Sequence, residues 1–149
     1  MAFNILIVDD SETMRAVVKK VVTMSGVAVG QFLEAANGRE ALEVLEGAWV
    51  DVILSDINMP EMNGIELLQE IKKNVVFKHV PVIMITTEAS QARMDEAARH
   101  GAAGYIKKPF VPETIKAVLL DVLEKAYAQR LQEEKAPEES SGIDEDLDF

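Results

Sequence analysis

Cysteine is absent from the 149-residue chain, which excludes disulfides, thiolate metal sites and cysteine nucleophiles. Histidine occurs only at His79 and His100, too few to build an imidazole-rich zinc site. Basic residues are scarce: 15 Lys and Arg stand against 26 Asp and Glu, a net charge of −11. A surface made to displace counterions from nucleic acid, or to adhere to anionic lipid, is therefore not expected. No apolar run is longer than four residues, and the first residues, Met1-Ala2-Phe3-Asn4, carry no base before Asp9 interrupts the first apolar stretch, so neither a membrane span nor an export signal is legible. Nucleic acid and membrane are accordingly not expected as partners, the lack of cysteine is compatible with the cytoplasm, and a cytoplasmic monomer is the expectation. What is present, an apolar fraction of 48%, is enough for one core.

Charge divides the chain into two parts. Residues 132–149 hold eight acids against Lys135, a net of −7, which leaves −4 on the other 131 residues. With Pro137 and Ser140-Ser141-Gly142 in it, this end reads as a flexible, solvated acidic tail on a globular body of residues 1–131.

Within the body, short β-branched runs alternate with segments of helical period. Phe3–Val8, Val29–Glu34, Asp51–Ser55, Val82–Thr86 and Tyr105-Ile106 read as strands. A helix starting near Ser11 should turn Met14, Val17, Val18, Val21 and Met24 inward. Asn37-Gly38-Arg39-Glu40 has capping-box spacing ahead of Leu42 and Leu45. Leu67, Leu68 and Ile71 mark a third helix, Ala89–Arg99 a fourth, and Ile115, Val118, Leu119, Val122, Leu123 and Ala126 a fifth that starts at Pro112. Five βα units with continuously apolar strands predict an α/β fold, a doubly wound parallel sheet covered on both faces.

In such a sheet ligands meet the carboxyl ends of the strands. Asp9-Asp10, Asp56, Thr86 and Lys107-Lys108 all fall there. Singly, each has an ordinary explanation: helix capping, a turn, a strand threonine, a solvated lysine. Separate ordinary explanations do not predict a shared edge. Three carboxylates gathered at one edge repel one another, and a hard divalent cation such as Mg²⁺ would relieve that. A lysine and a hydroxyl opposite them suit the oxygens of a phosphoryl group.

Four ordered segments then carry a specific resemblance: Ile7-Val8-Asp9-Asp10-Ser11, Ser55-Asp56-Ile57-Asn58-Met59-Pro60-Glu61-Met62-Asn63-Gly64, Ile85-Thr86-Thr87-Glu88-Ala89 and Gly101-Ala102-Ala103-Gly104-Tyr105-Ile106-Lys107-Lys108-Pro109-Phe110. Over residues 3–127 the chain resembles the receiver domains of bacterial two-component response regulators, the chemotaxis subgroup above all. The resemblance implies a flavodoxin-like sheet of strand order 2-1-3-4-5 with five helices. It implies Asp56 as phosphoacceptor, taking a phosphoryl group from a sensor histidine kinase. It further implies Mg²⁺ held by Asp10, Asp56 and the main-chain carbonyl of Asn58, with Asp9 acting through a bound water. Lys108 and the Thr86 hydroxyl would meet the phosphoryl oxygens, Tyr105 would switch with Thr86, and Asn58 and Glu88 would set the lifetime of the acyl phosphate. A cis Lys108-Pro109 bond would aim the lysine. Ile57 departs from the aromatic residue some chemotaxis members carry there, and His79 and His100 fall outside every motif.

The implied function is a stand-alone phosphorylation switch that catalyses only its own phosphorylation and dephosphorylation. Its partners would be a chemotaxis-type kinase, a flagellar motor switch protein and a possible phosphatase, met through a face spanning roughly residues 88–127. Within the same class, a phosphorelay intermediate or a receiver for a non-motor protein is the alternative. A Mg²⁺-dependent phosphohydrolase resembling the haloacid-dehalogenase-like enzymes would need Asp-x-Asp after the first strand, where adjacent Asp9-Asp10 stands, and a cap insertion that is missing. A flavin site would need a phosphate-cradling loop where Asp9-Asp10-Ser11-Glu12 would repel the phosphate. The tail end, with Ile143, Leu147 and Phe149 among its acids, resembles the acidic-hydrophobic peptides that dock on chemotaxis regulators, against the simpler reading of a solubilising appendage.

Overall fold

A computed structural model describes residues 2–87 and 90–144. Its elements run β1 (Phe3–Val8), α1 (Glu12–Ser25), β2 (Val29–Ala35), α2 (Gly38–Gly47), β3 (Val52–Ser55), α3 (Gly64–Lys73), β4 (Val82–Thr86), α4 (Gln91–Arg99), β5 (Gly104–Lys107) and α5 (Pro112–Asp144). The strands form one sheet, every pairing parallel, in the order β2-β1-β3-β4-β5. This is the expected doubly wound α/β fold.

Strand alternation sorts the core into two layers. Leu6, Val8, Ile53, Val82 and Met84 face α2, α3 and α4. Ile5, Ile7, Val52, Leu54, Ile83 and Ile85 face α1 and α5. Because side chains on a strand point alternately to opposite faces, a strand covered on both sides must be apolar throughout, and β3 and β4 are buried at every residue.

The helices start where short polar side chains satisfy their first free N–H groups. Ser11 accepts from Met14 N, Asn37 from Glu40 N and Ser90 from Arg93 N. The reciprocal capping box occurs at α3, between Asn63 and Glu66. At α2 the expected box is only half made, since Glu40 Oε1 accepts from Ala36 N, one residue before the cap. The inward face of α1 also differs from expectation. Val18, Val22 and Ser25 are buried, whereas Val17 and Met24 are exposed at 43% and 64%. A three-to-four residue spacing admits two neighbouring stripes, and contact with α5 selects the one through Val18. Of the inward residues anticipated for α5, Ile115, Val118, Leu119, Val122 and Leu123 lie in or against this core layer and Ala126 is buried; α5 continues beyond them to Asp144. The tail expected from residue 132 includes residues 145–149, which lie outside the described residues, as does Glu88. No helix of the described residues is long and apolar enough to cross a membrane.

Candidate phosphoryl-transfer and metal site

β1 ends at Val8, and the chain delivers Asp9 and Asp10 to the carboxyl edge of the sheet before Ser11 caps α1. β3 ends at Ser55 and delivers Asp56, whose N–H donates to Val8 O at 2.9 Å, extending the β1–β3 ladder by one rung. The three carboxylates thereby meet: Asp9, Asp10 and Asp56 each offer an oxygen within 4.8 Å of the others. Asp9 is buried at 4% exposure, Asp56 is half-buried and Asp10 is exposed, so the group opens to solvent through Asp10. An all-oxygen set of this kind fits a hard divalent cation such as Mg²⁺.

Each acid is held by specific donors. Asp9 Oδ1 accepts from Ser11 N at 2.9 Å, and its Oδ2 accepts from Lys108 Nζ at 3.2 Å. Asp56 Oδ1 accepts from Ile57 N at 2.8 Å, which leaves Oδ2 facing Lys108 Nζ at 3.7 Å. Lys108 thus lies between two of the three acids, its side chain only 11% exposed. Lys108 N donates to Thr86 O at 2.9 Å, and the Lys108-Pro109 bond is cis, as the resemblance implied. Thr86, the last residue of β4, is fully buried beside β5, while Tyr105 on β5 is half-buried against the α4 side of the core. Asn58 is exposed on the loop after Asp56. Thus Asp9, Asp10, Asp56 and Lys108 form one contact group, Thr86 joins it through its backbone, and Tyr105 flanks it.

Several supporting residues escaped the sequence reading. Arg15, one turn into α1, donates from Nη1 to Asp9 O at 2.6 Å and from Nε to Glu34 on β2 at 2.8 Å. Lys19 also donates to Glu34, at 2.7 Å. The Lys19 hydrogen bond foremost, then that of Arg15, holds the Glu34 carboxyl below the ordinary glutamate value of 4.5. Spacing hinted at this pair, for Arg15 and Lys19 stand four apart on one helix face, but no pattern connects them to Glu34. Gly64 was seen only as a loop end. A Cβ there would overlap Asp56 O and lie 2.9 Å from Ile57 Cα, so only glycine lets α3 begin this close to the Asp56 backbone. His100, read as a surface residue, is half-buried, its ring 3.2 Å from Gln69 Nε2.

Residues 5–120 match the family model for the response regulator receiver domain. The chain belongs to the response-regulator receiver family. Among curated relatives, the receiver is 43% identical to chemotaxis protein CheY1 of Helicobacter pylori over 121 residues, 80% of this chain and 96% of that one. It is 44% identical to chemotaxis protein CheY-3 of Vibrio cholerae over 122 residues, 82% of this chain and 92% of that one. The solved structure of chemotaxis response regulator CheY4 of Vibrio cholerae superposes with a TM-score of 0.72 at 38% identity, covering 82% of this chain and 99% of that one. Receiver domains are switch proteins with an acidic metal pocket, and the Asp9, Asp10 and Asp56 group is compatible with one.

Proposed function

We propose that this receiver is a chemotaxis response regulator whose Asp56 takes a phosphoryl group from the phosphohistidine of a sensor kinase. The observation that carries the reading is the meeting of three carboxylates with Lys108 at one strand edge, in a chain over 40% identical to chemotaxis regulators. Asp56 Oδ2, the oxygen not engaged by Ile57 N, would form the bond to phosphorus while the phosphorus–nitrogen bond to the imidazole breaks; the nitrogen keeps that electron pair and the ring its charge balance by taking a proton from solvent. Asp9, Asp10, Asp56 and the main-chain carbonyl of Asn58 would hold Mg²⁺, which when bound supplies positive charge to the transferring oxygens. Lys108 then exchanges its bond to Asp9 for one to a phosphoryl oxygen, and Thr86 supplies a hydroxyl. Movement of Thr86 and Tyr105 would pass the new charge to the α4–β5 side, where Tyr105 and Met94 border a recess of about 270 Å³. Asn58 and Glu88 are proposed to set how long the acyl phosphate survives.

The output is then protein contact through α4, β5 and α5, most simply with a flagellar motor switch protein, and the receiver acts as a switch rather than a turnover enzyme. A receiver that controls a non-motor protein would share the whole site and differ only in what it binds. Incubation with phosphorylated chemotaxis kinase, read by intact mass, should add one phosphoryl group in Mg²⁺ and none after chelation. Asp56→Asn should add none under either condition; labelling of that variant at the wild-type rate would remove Asp56 from the role. Pull-down of motor-switch protein by the beryllium fluoride-treated form, and not by the metal-free form, would separate the motor reading from its alternative.

A further inference from the structure

At the opposite, amino-terminal edge of the sheet, the structure gathers positive charge in a chain of net charge −11. A recess of about 280 Å³ lies where the α3–β4 loop, the α4–β5 turn and α5 meet, and it is lined by Lys72, Lys78, His79 and Lys125 with no carboxylate among its lining residues. Three separate segments supply these groups: Lys72 from the end of α3, Lys78 and His79 from the loop before β4, and Lys125 from α5.

We propose that this recess binds the phosphate groups of a small polyanion, a free pyrophosphate or the diphosphate of a nucleotide. Lys72 is the central group. Its stem passes under the turn at Gly101, whose φ is +96° and where a Cβ would lie 2.9 Å from Lys72 Cε, so the glycine both makes the turn and leaves the lysine its channel. Its ammonium donates to Lys78 O at 3.3 Å, and among the described residues neither Lys72 nor Lys78 has a carboxylate partner. Desolvation draws the Lys72 ammonium below the ordinary lysine value of 10.5, a cost that a neighbouring anion would remove. Lys125 is paired with Asp121 at 3.2 Å, but both side chains are well exposed, and such pairs give way easily to a doubly charged ligand. Long-range repulsion from the rest of the chain works against anions in general. Binding here must therefore come from short contacts, which favours a ligand with adjacent charges over a single carboxylate.

The site stands apart from the carboxylate group and does not depend on its function. The test is titration of the full-length ¹⁵N-labelled protein, free of divalent metal, with sodium pyrophosphate and with ADP up to roughly 10 mM, a range that reaches weak sites. Saturable amide shifts confined to Lys72, Lys78, His79, Gly101 and Lys125 support the proposal. A folded Lys72→Met/Lys78→Met variant should bind at least about fivefold more weakly, while Lys73→Met, whose ammonium pairs with Glu70 instead, should bind as wild type. Tighter binding of ADP would assign a nucleotide, and equal binding the phosphates alone. Should the double variant lose its dispersed spectrum, Lys125→Met supplies the same comparison. Unsaturable shifts, shifts spread equally over Lys19 and Lys116, or unchanged affinity in the recess variants would overturn the proposal.

Discussion

At the scale of single residues, the site is a balance of three acids against one lysine. Lys108 lies 3.2 Å from Asp9 and 3.7 Å from Asp56, and it offsets only part of the repulsion. Asp56→Asn should therefore stabilise the metal-free protein by about 0.5–1 kcal/mol, read by urea denaturation, since the amide oxygen can still accept from Ile57 N while one charge disappears. Mg²⁺ should stabilise wild type, by about 2.7 kcal/mol at a hundredfold excess over the dissociation constant, and the same substitution should abolish that gain. A loss of stability in the metal-free variant would instead mark Asp56 as a structural acceptor. Lys108→Ala and Thr86→Ala keep the three acids, so each should still gain a phosphoryl group by mass. Phosphorylation should tighten partner binding by each variant far less than by wild type, because each lacks a group proposed to couple charge to movement.

At the scale of elements, two contacts fix where the helices bring their ends. α3 starts against the Asp56 backbone, with Gly64 N donating to Ile57 O at 2.8 Å. Gly64→Ala should cost about 1–3 kcal/mol of unfolding free energy, read by denaturant titration, because the methyl has backbone rather than a flexible side chain in its way. α1 is tied to β2 through Arg15, Lys19 and Glu34. Glu34 is depressed in the folded state, so its stabilising contribution is complete above the ordinary 4.5 and is lost as pH falls through the lower folded value. Glu34→Gln should thus flatten the acid limb of a melting-temperature profile below about pH 4.5 and leave the shape near pH 7 unaltered, with any uniform offset reporting the lost bonds.

At the scale of the whole molecule, the parallel sheet separates its two ends. Acids and Lys108 occupy the carboxyl edge, and the lone tryptophan, Trp49, sits before β3 at the other, its indole donating to Asp51 and lying under Arg130. The whole of β3, Val52–Ser55, lies between Trp49 and Asp56. Mg²⁺ binding at the carboxylates should consequently leave tryptophan fluorescence unchanged while it shifts the amides of Asp9, Asp10 and Ile57. The alternation of apolar runs and helical periods determined the fold class, because a strand buried on both faces has no polar positions to hide and a covering helix must carry an apolar stripe. Asp9, Asp10, Asp56, Thr86 and Lys108 were legible as one group because parallel strands present all their carboxyl ends along one edge. Which stripe of α1 turns inward, the bridge from Arg15 to Asp9 and Glu34, the need for glycine at position 64 and the lysine recess around Lys72 were decided only by tertiary structure. Each depends on residues far apart in the chain being brought within a few ångströms, and local propensity and periodicity hold no record of that distance.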